Sequence, residues 1–278
     1  MSLTIETVPL TETVGVEIRG VDADMLVNHP EIPEVILDTL EANGVLVFRE
    51  LHLDDETQVA FSKRLGKVEI FPGEGKLPEI FIVTLDANRN PIASYLKGTF
   101  DWHIDGLTDD IPIMATILSA HAVADSGGET EFASTYAAYD ALSDDEKERF
   151  ADLKVVHSIE ATQRRQVKDP TPEQVEMWRS RPSKEQPLVW LHRDGRRSLV
   201  LGPTAERVVG MDQEEGDALL EDLLQRATAP GLVYTHHWKV GDLVIWDNRG
   251  VLHRALPYAE DSPRDMHRTT LHGNEAIQ

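Results

Sequence analysis

The sequence predicts a mainly β fold, a sandwich or barrel buttressed by helices, and three observations carry that expectation. Short β-branched and aromatic runs crowd the chain after residue 150: KVVHSI, PLVWLH, RSLVLG, LVYTHHWKV, DLVIWDN and HRTTLHG. Turn residues such as Asp194-Gly195 and Val240-Gly241-Asp242 separate several of them, which favours antiparallel hairpins over βαβ units. At 278 residues with 41% hydrophobic content the chain can bury one sizeable core. In chain order, Pro33 to Asn43 reads as an amphipathic helix closed by Gly44, and VLVFR after it as a buried strand. Asp55 to Leu65 repeats the pattern, with Gly66 past its end. MATILSAHAV from Met114 reads as a strand, and SDDE from Ser143 to Glu146 as a capping-box start for a helix reaching about Leu153. Thr171 to Arg181 and Gln213 to Ala227 are further helical stretches.

No repeat, low-complexity tract or Pro/Gly/Ser-rich linker divides the chain, so residues 1–278 are expected to form a single domain. A formal net charge of -22, without a basic block to reverse it locally, argues against nucleic acid and anionic membranes as partners. Zero cysteines exclude disulfides, thiolate nucleophiles and cysteine-bound metal, leaving histidine and carboxylate as metal ligands. The N-terminal MSLTIETVPLTETVG has neither a basic start nor a long apolar run, and the expectation is a cytoplasmic protein.

Three His-x-Asp triplets compete for attention. His52-Leu53-Asp54 stands directly before a helix, where Asp54 or Asp55 can cap the first turn. His192-Arg193-Asp194 runs into Gly195 at the tip of an expected hairpin. His103-Ile104-Asp105 has no such local task, and in extended chain residues i and i+2 point to one side, so both could reach one ion. Two ligands do not make a secure iron site. The most suggestive source of a third is GDLVIWDNRGVLHRALPY, Gly241 to Tyr258, which holds His253. Two histidines and a carboxylate on one face of an octahedron form the arrangement of non-haem Fe(II) oxygenases. Spacing alone does not bring His253 to His103. His121, His157, His236 and His237 in β runs, and His267 and His272 near the C-terminus, read as packing or surface residues.

The order WHIDG, SGGETEF, WKVGDLVIWDNRGVLHRALPY, RDMHRTTLHG resembles the Fe(II)/2-oxoglutarate-dependent dioxygenases of the taurine dioxygenase and phenoxyacetate dioxygenase family, over nearly the whole chain. The resemblance implies a double-stranded β-helix, or jelly roll, with flanking helices. It implies His103, Asp105 and His253 as iron ligands, and Thr130 and Arg264 as the residues that bind the far carboxylate of 2-oxoglutarate. Arg268 takes the position near the C1 carboxylate of 2-oxoglutarate and the acidic group of the substrate. The implied reaction consumes O2 and 2-oxoglutarate, releases succinate and CO2, and hydroxylates a small organic acid. Homodimers or homotetramers are common in that family.

Two departures argue against taurine as the substrate. Phe71 stands where taurine dioxygenases have a histidine, and Thr99 where they have an asparagine. Phe71, Thr99 and Trp102 are expected around a substrate with an apolar or aromatic part, either a sulfonate or an aryloxy or alkyl carboxylate. Residues 73–98, rich in glycine and proline, read as a lid. Two other classes stay open: a zinc-type metallohydrolase using the same donors with a bound water, and a non-enzymatic jelly-roll binding protein.

Overall fold

The computed structural model describes residues 3–71 and 77–278. Its strands are β1 Glu6–Pro9, β2 Val16–Arg19, β3 Val45–Phe48, β4 Phe81–Val83, β5 Ala115–Ala122, β6 Thr130–Ser134, β7 Lys154–His157, β8 Lys184–Pro187, β9 Val189–Leu191, β10 Arg197–Leu199, β11 Ala205–Val208, β12 Val233–His236, β13 Leu243–Asp247, β14 Val251–Ala255 and β15 Asp265–Leu271. Its helices are α1 Ala23–Asn28, α2 Ile32–Asn43, α3 Asp55–Leu65, α4 Thr135–Asp140, α5 Asp144–Phe150, α6 Ile159–Gln166, α7 Pro172–Arg179 and α8 Gln213–Ala227, with a 3-10 helix over Ala93–Phe100.

Seven strands form the major sheet in the order β1-β2-β3-β13-β5-β15-β4. Its strands are apolar on both faces, and alternation sorts the residues. Leu46, Phe48, Ile117, Leu243, Ile245 and Leu271 face one way, and Leu26 of α1, Ile36 and Leu40 of α2 and Phe61 of α3 pack on them. Val45, Val47, Leu118, Val244, Trp246 and Met266 face the other way, where they meet Phe132 of β6 and Val251 of β14. A second sheet, β12-β6-β14, therefore lies across the major sheet. The result is the expected sandwich, two facing sheets with helices on the outer side of the larger one. Small sheets β11-β7-β8 and β10-β9 lie around a further core of Phe150, Trp190 and Leu252.

The local chemistry explains the boundaries. Gly44 closes α2 at φ +74, a conformation strained for residues with a Cβ. Asp54 caps α3 by accepting from Thr57 N at 2.8 Å, which settles the role of the first triplet. We expect Asp54→Ala to lower the unfolding free energy by about 1 kcal/mol, measured by chemical denaturation. The triplet His192-Arg193-Asp194 also behaves as expected: Asp194-Gly195 turns β9 into β10, and Asp194 accepts from Arg196 N at 2.9 Å.

The structure departs from expectation in several places. The helix starting after Ser143 ends at Phe150 rather than near Leu153, where the chain turns (Leu153 N donates to Phe150 O) to enter β7. Val240-Gly241-Asp242 does not make a hairpin, because β12 belongs to the smaller sheet and β13 to the major one. Buried Asp242 fixes that crossing. It accepts from Glu50 N at 3.0 Å and Lys239 N at 3.1 Å, and pairs with Arg49 at 2.7 Å and His236 at 3.2 Å. One strand pair, β2 with β3, is parallel and joined through α1 and α2. Of the stretch expected as a lid, residues 73–76 lie outside the described residues. Beyond them the chain forms edge strand β4, with Arg268 opposite Phe81, and then the 3-10 helix.

Candidate active site

His103 and His253 are joined by main chain before their side chains meet. His103 N donates to His253 O and His253 N to His103 O, both at 2.9 Å, in an isolated antiparallel bridge. The two imidazoles lie 4.1 Å apart, centre to centre. Asp105 sits in the turn that follows, with Oδ1 3.8 Å from His103 Nε2 and Oδ2 3.7 Å from His253 Nε2. One donor atom from each residue thus lies within 4.8 Å of the others.

The electrostatics keep these donors free for a cation. The Nδ1 of His103 faces Asp101 O at 2.8 Å, which places the ring proton there and leaves Nε2 with its lone pair outward. Burial, reinforced by His103, pushes His253 down to about 3, so its ring is neutral near pH 7. Burial alone would raise Asp105, but His253, Arg268 and His103 outweigh it and hold the carboxyl below its usual range. Thr116 Oγ1 donates to Asp105 Oδ2 at 3.1 Å and itself accepts from Asn248 Nδ2 at 3.0 Å, which fixes the carboxylate. Two inward-facing imidazole nitrogens, that of His253 neutral, beside an ionised, braced carboxylate suit a divalent metal of the iron or zinc type.

The same cavity contains Thr130, Arg264 and Arg268. Thr130 Oγ1 accepts from Trp238 Nε1 at 2.9 Å, so the hydroxyl proton is free to donate elsewhere. Arg264 is 3% exposed, yet among the described residues the partner of its guanidinium is Tyr258, whose hydroxyl is 3.4 Å from Nη1 and whose ring lies 4.7 Å beneath it. Burial pushes the Arg264 pKa down against Tyr258, as expected for a guanidinium without a counter-ion. Gly128 permits this seat: it holds φ +77, and a Cβ there would come within 3.1 Å of the Arg264 side chain.

Arg268 lies under the rings of Phe81 and Phe71, 4.7 and 5.7 Å from their centres, and its Nε is buried without a partner among the described residues. Among the described residues neither arginine makes a salt bridge, although the chain carries 49 acidic residues. Val83 and Leu118 supply apolar wall.

The structure thus brings His103, Asp105, His253, Thr130, Arg264 and Arg268 together, with Thr99 on the rim and Phe71 behind Arg268. The Thr99 hydroxyl is taken up by Leu96 O at 2.6 Å. Trp102 is placed differently: its ring is buried in the core around Trp190 and covered by Arg254 at 4.8 Å, away from the cavity lining. Thr116, Trp238, Asn248 and Tyr258 were not singled out from sequence. Tyr258 and Asn248 lie inside the segment that supplied His253, and that proximity is the only signal that could have found them.

Comparison with known proteins agrees with this geometry. The family model "Taurine catabolism dioxygenase TauD, TfdA family" matches residues 6–270. An (S)-phenoxypropionate/alpha-ketoglutarate-dioxygenase of Sphingobium herbicidovorans is 32% identical, with 100% of this chain and 98% of that one covered. An alpha-ketoglutarate-dependent 2,4-dichlorophenoxyacetate dioxygenase of a Burkholderia species is 35% identical over 84% of this chain and 83% of its own. The crystal structure of AAD-2 with Mn(II) and N-oxalylglycine superposes with a TM-score of 0.84 at 32% identity, covering 99% of this chain and all of the other. The jelly-roll architecture, the donor set and these matches together place the chain in the TauD/TfdA family as a 2-oxoglutarate-dependent dioxygenase.

Proposed function

We propose that His103, Asp105 and His253 hold Fe(II), that Arg264 and Thr130 bind the far carboxylate of 2-oxoglutarate, and that Arg268 receives the acidic group of a small organic acid to be hydroxylated. One observation carries this reading: two guanidiniums, unpaired among the described residues, line a cavity beside a His-His-Asp donor set in a strongly acidic chain. Left without anions, the buried Arg264 and the half-buried Arg268 are unfavourably placed, and a dicarboxylate cosubstrate together with an anionic substrate supplies what each lacks. Iron, when bound, supplies the oxidative decarboxylation of 2-oxoglutarate by O2 and the hydroxylation of a substrate C–H bond. The protein's own contribution is to hold both acids by their carboxylates, so that the target carbon is oriented toward the donor set and water is kept from it.

The substrate we infer is an aryloxy or alkyl carboxylate, or a sulfonate with an apolar part. Phe71, Phe81, Val83 and Leu118 offer apolar surface around Arg268, and the relatives named for phenoxypropionate and dichlorophenoxyacetate support the aryloxy choice. Taurine is disfavoured: Phe71 offers its amine and sulfonate no hydrogen bond, and the Thr99 hydroxyl is already engaged. The same reading makes the chain a cytoplasmic single-domain enzyme, in line with the absence among its described residues of a helix long and apolar enough to cross a membrane. It carries over from the family assembly as a homodimer or homotetramer.

The test is an anaerobic absorption titration with Fe(II) and then 2-oxoglutarate. A weak visible band in the parent that is missing in His103→Ala is expected; iron binding without the band would remove the keto acid from the reading. A screen for succinate release is then expected to favour aryloxy acids over taurine. Arg268→Ala should raise the substrate KM by about 30-fold or more while leaving 2-oxoglutarate affinity nearly unchanged, and an unaltered substrate KM would move the anion site elsewhere.

A further inference from the structure

A second cluster of two histidines and an aspartate lies on the opposite face of the major sheet from the cavity. Residues of β15 alternate, so that Arg268 faces the cavity while His267 faces helix α3. On β5 the register with β15 slips: Asp265 pairs with Ala122 and Met266 with Ala120, leaving His121 between them without a partner. Such irregularities re-aim a side chain, and here the imidazole of His121 stacks on that of His267 at 3.7 Å, with 15° between their planes. Asp55, in the first turn of α3, places Oδ1 2.5 Å from His267 Nδ1 and 3.8 Å from His121 Nε2.

Among the described residues three atoms of this cluster are buried without a hydrogen-bond partner: His121 Nε2, His267 Nε2 and Asp265 Oδ1. Buried polar atoms are seldom left so, and His121 Nε2, 3.8 Å from Asp55 Oδ1, points to a missing ligand. Two of them have complementary positions, because Asp265 Oδ1 stands 3.5 Å from His267 Nε2, on the far side of the ring from Asp55. Arg89 anchors Asp265 at 2.8 Å. A carboxylate behind an imidazole whose other nitrogen points at a donor cluster is how a metal-bound histidine is oriented.

We propose that Asp55, His121 and His267 form a second site, for a borderline divalent cation such as Zn(II), with Asp265 as the outer carboxylate that orients His267. One atom from each of the three residues lies within 4.8 Å of the others, and the cation takes the place of the proton now shared by Asp55 and His267. Two of the three donors are imidazole nitrogens, which favours zinc-like ions over calcium or magnesium. About 30% of the Asp55 and His121 side chains is exposed, so the ion can enter from solvent and water can complete its coordination. Bound there, the cation ties the first turn of α3 to the strand that carries Arg268.

The experiment is a calorimetric titration of the metal-free protein with Zn(II) at neutral pH. Two equivalents are expected in the wild type and one in His121→Asn and in Asp55→Asn. Both variants should keep the visible band given by Fe(II) and 2-oxoglutarate at the inner site, which shows that they are folded. His103→Ala should lose the inner equivalent and keep the outer one, so failure of the active-site assignment and failure of this one give different counts. Asp265→Asn is expected to weaken the outer site by about 10–100-fold. A wild type that takes up one equivalent which His103→Ala removes, or a His121→Asn protein that still takes up two, overturns the proposal.

Discussion

Arg264→Leu is expected to raise the 2-oxoglutarate concentration for half-maximal turnover by about 100-fold without destabilising the fold. The guanidinium is 3% exposed, and among the described residues it has no acid partner. Removing one member of a buried, hydrogen-bonded charge pair costs about 2–5 kcal/mol of binding, which brackets that loss. In the absence of cosubstrate the same arginine is an uncompensated buried cation, which a leucine relieves. Melting curves with and without 2-oxoglutarate read both effects together. The cosubstrate should raise the wild-type melting temperature and leave the variant's unchanged, and the unliganded variant should melt no lower than the wild type. A variant with wild-type 2-oxoglutarate dependence would remove Arg264 from the cosubstrate site.

Asp105→Ala should abolish both the visible band and substrate-dependent succinate release, because it removes the only carboxylate of the donor set and leaves two imidazoles without an anionic ligand. Thr116→Val separates the ligand from its support. It keeps the carboxylate and takes away the hydroxyl that donates to Oδ2 at 3.1 Å, so Fe(II) affinity should fall by about 10–100-fold with the band still obtainable at high iron. Equal loss in the two variants would mean that Thr116 does more than orient the carboxylate. Asp105 needs no rise in pH to act, since His253, Arg268 and His103 hold its carboxyl below the usual range.

What could be read from the sequence followed the range of the interactions involved. Helices α2, α3 and α8 were legible because glycine termini, an aspartate cap and an apolar stripe are local signals. The separation of the three His-x-Asp triplets held for the same reason: a cap and a hairpin tip explain two of them without tertiary structure. Strand β4 and helix α6 were not legible. β4 has three residues and only β15 for a neighbour, and α6 buries none of its side chains fully, so neither leaves a hydrophobic period to detect. Val240-Gly241-Asp242 misled because turn chemistry does not say which sheet each flanking strand joins; that is decided by Asp242, through contacts with Arg49 and Glu50 far away in sequence. The position of Arg264 beside the donor set came from resemblance alone, and the burial of Trp102 in the core around Trp190 depends on contacts distant in sequence. His121 and His267 read as packing residues because nothing in their sequence neighbourhoods shows that a slipped register stacks them beside Asp55.

The backbone bridge between His103 and His253 has a consequence for how such a protein can diversify. The main chains that carry the two imidazoles are clamped together by a reciprocal pair of amide-to-carbonyl bonds at 2.9 Å. Substitutions at Val83 or Leu118 in the wall, or at Phe71 or Phe81 against Arg268, therefore leave that main-chain clamp in place. The chemistry and the choice of substrate become separately heritable: lineages can exchange one acid for another by single replacements in the walls while the reactive centre is inherited intact. Random mutagenesis confined to those four positions is accordingly the economical route to new acceptors on this scaffold.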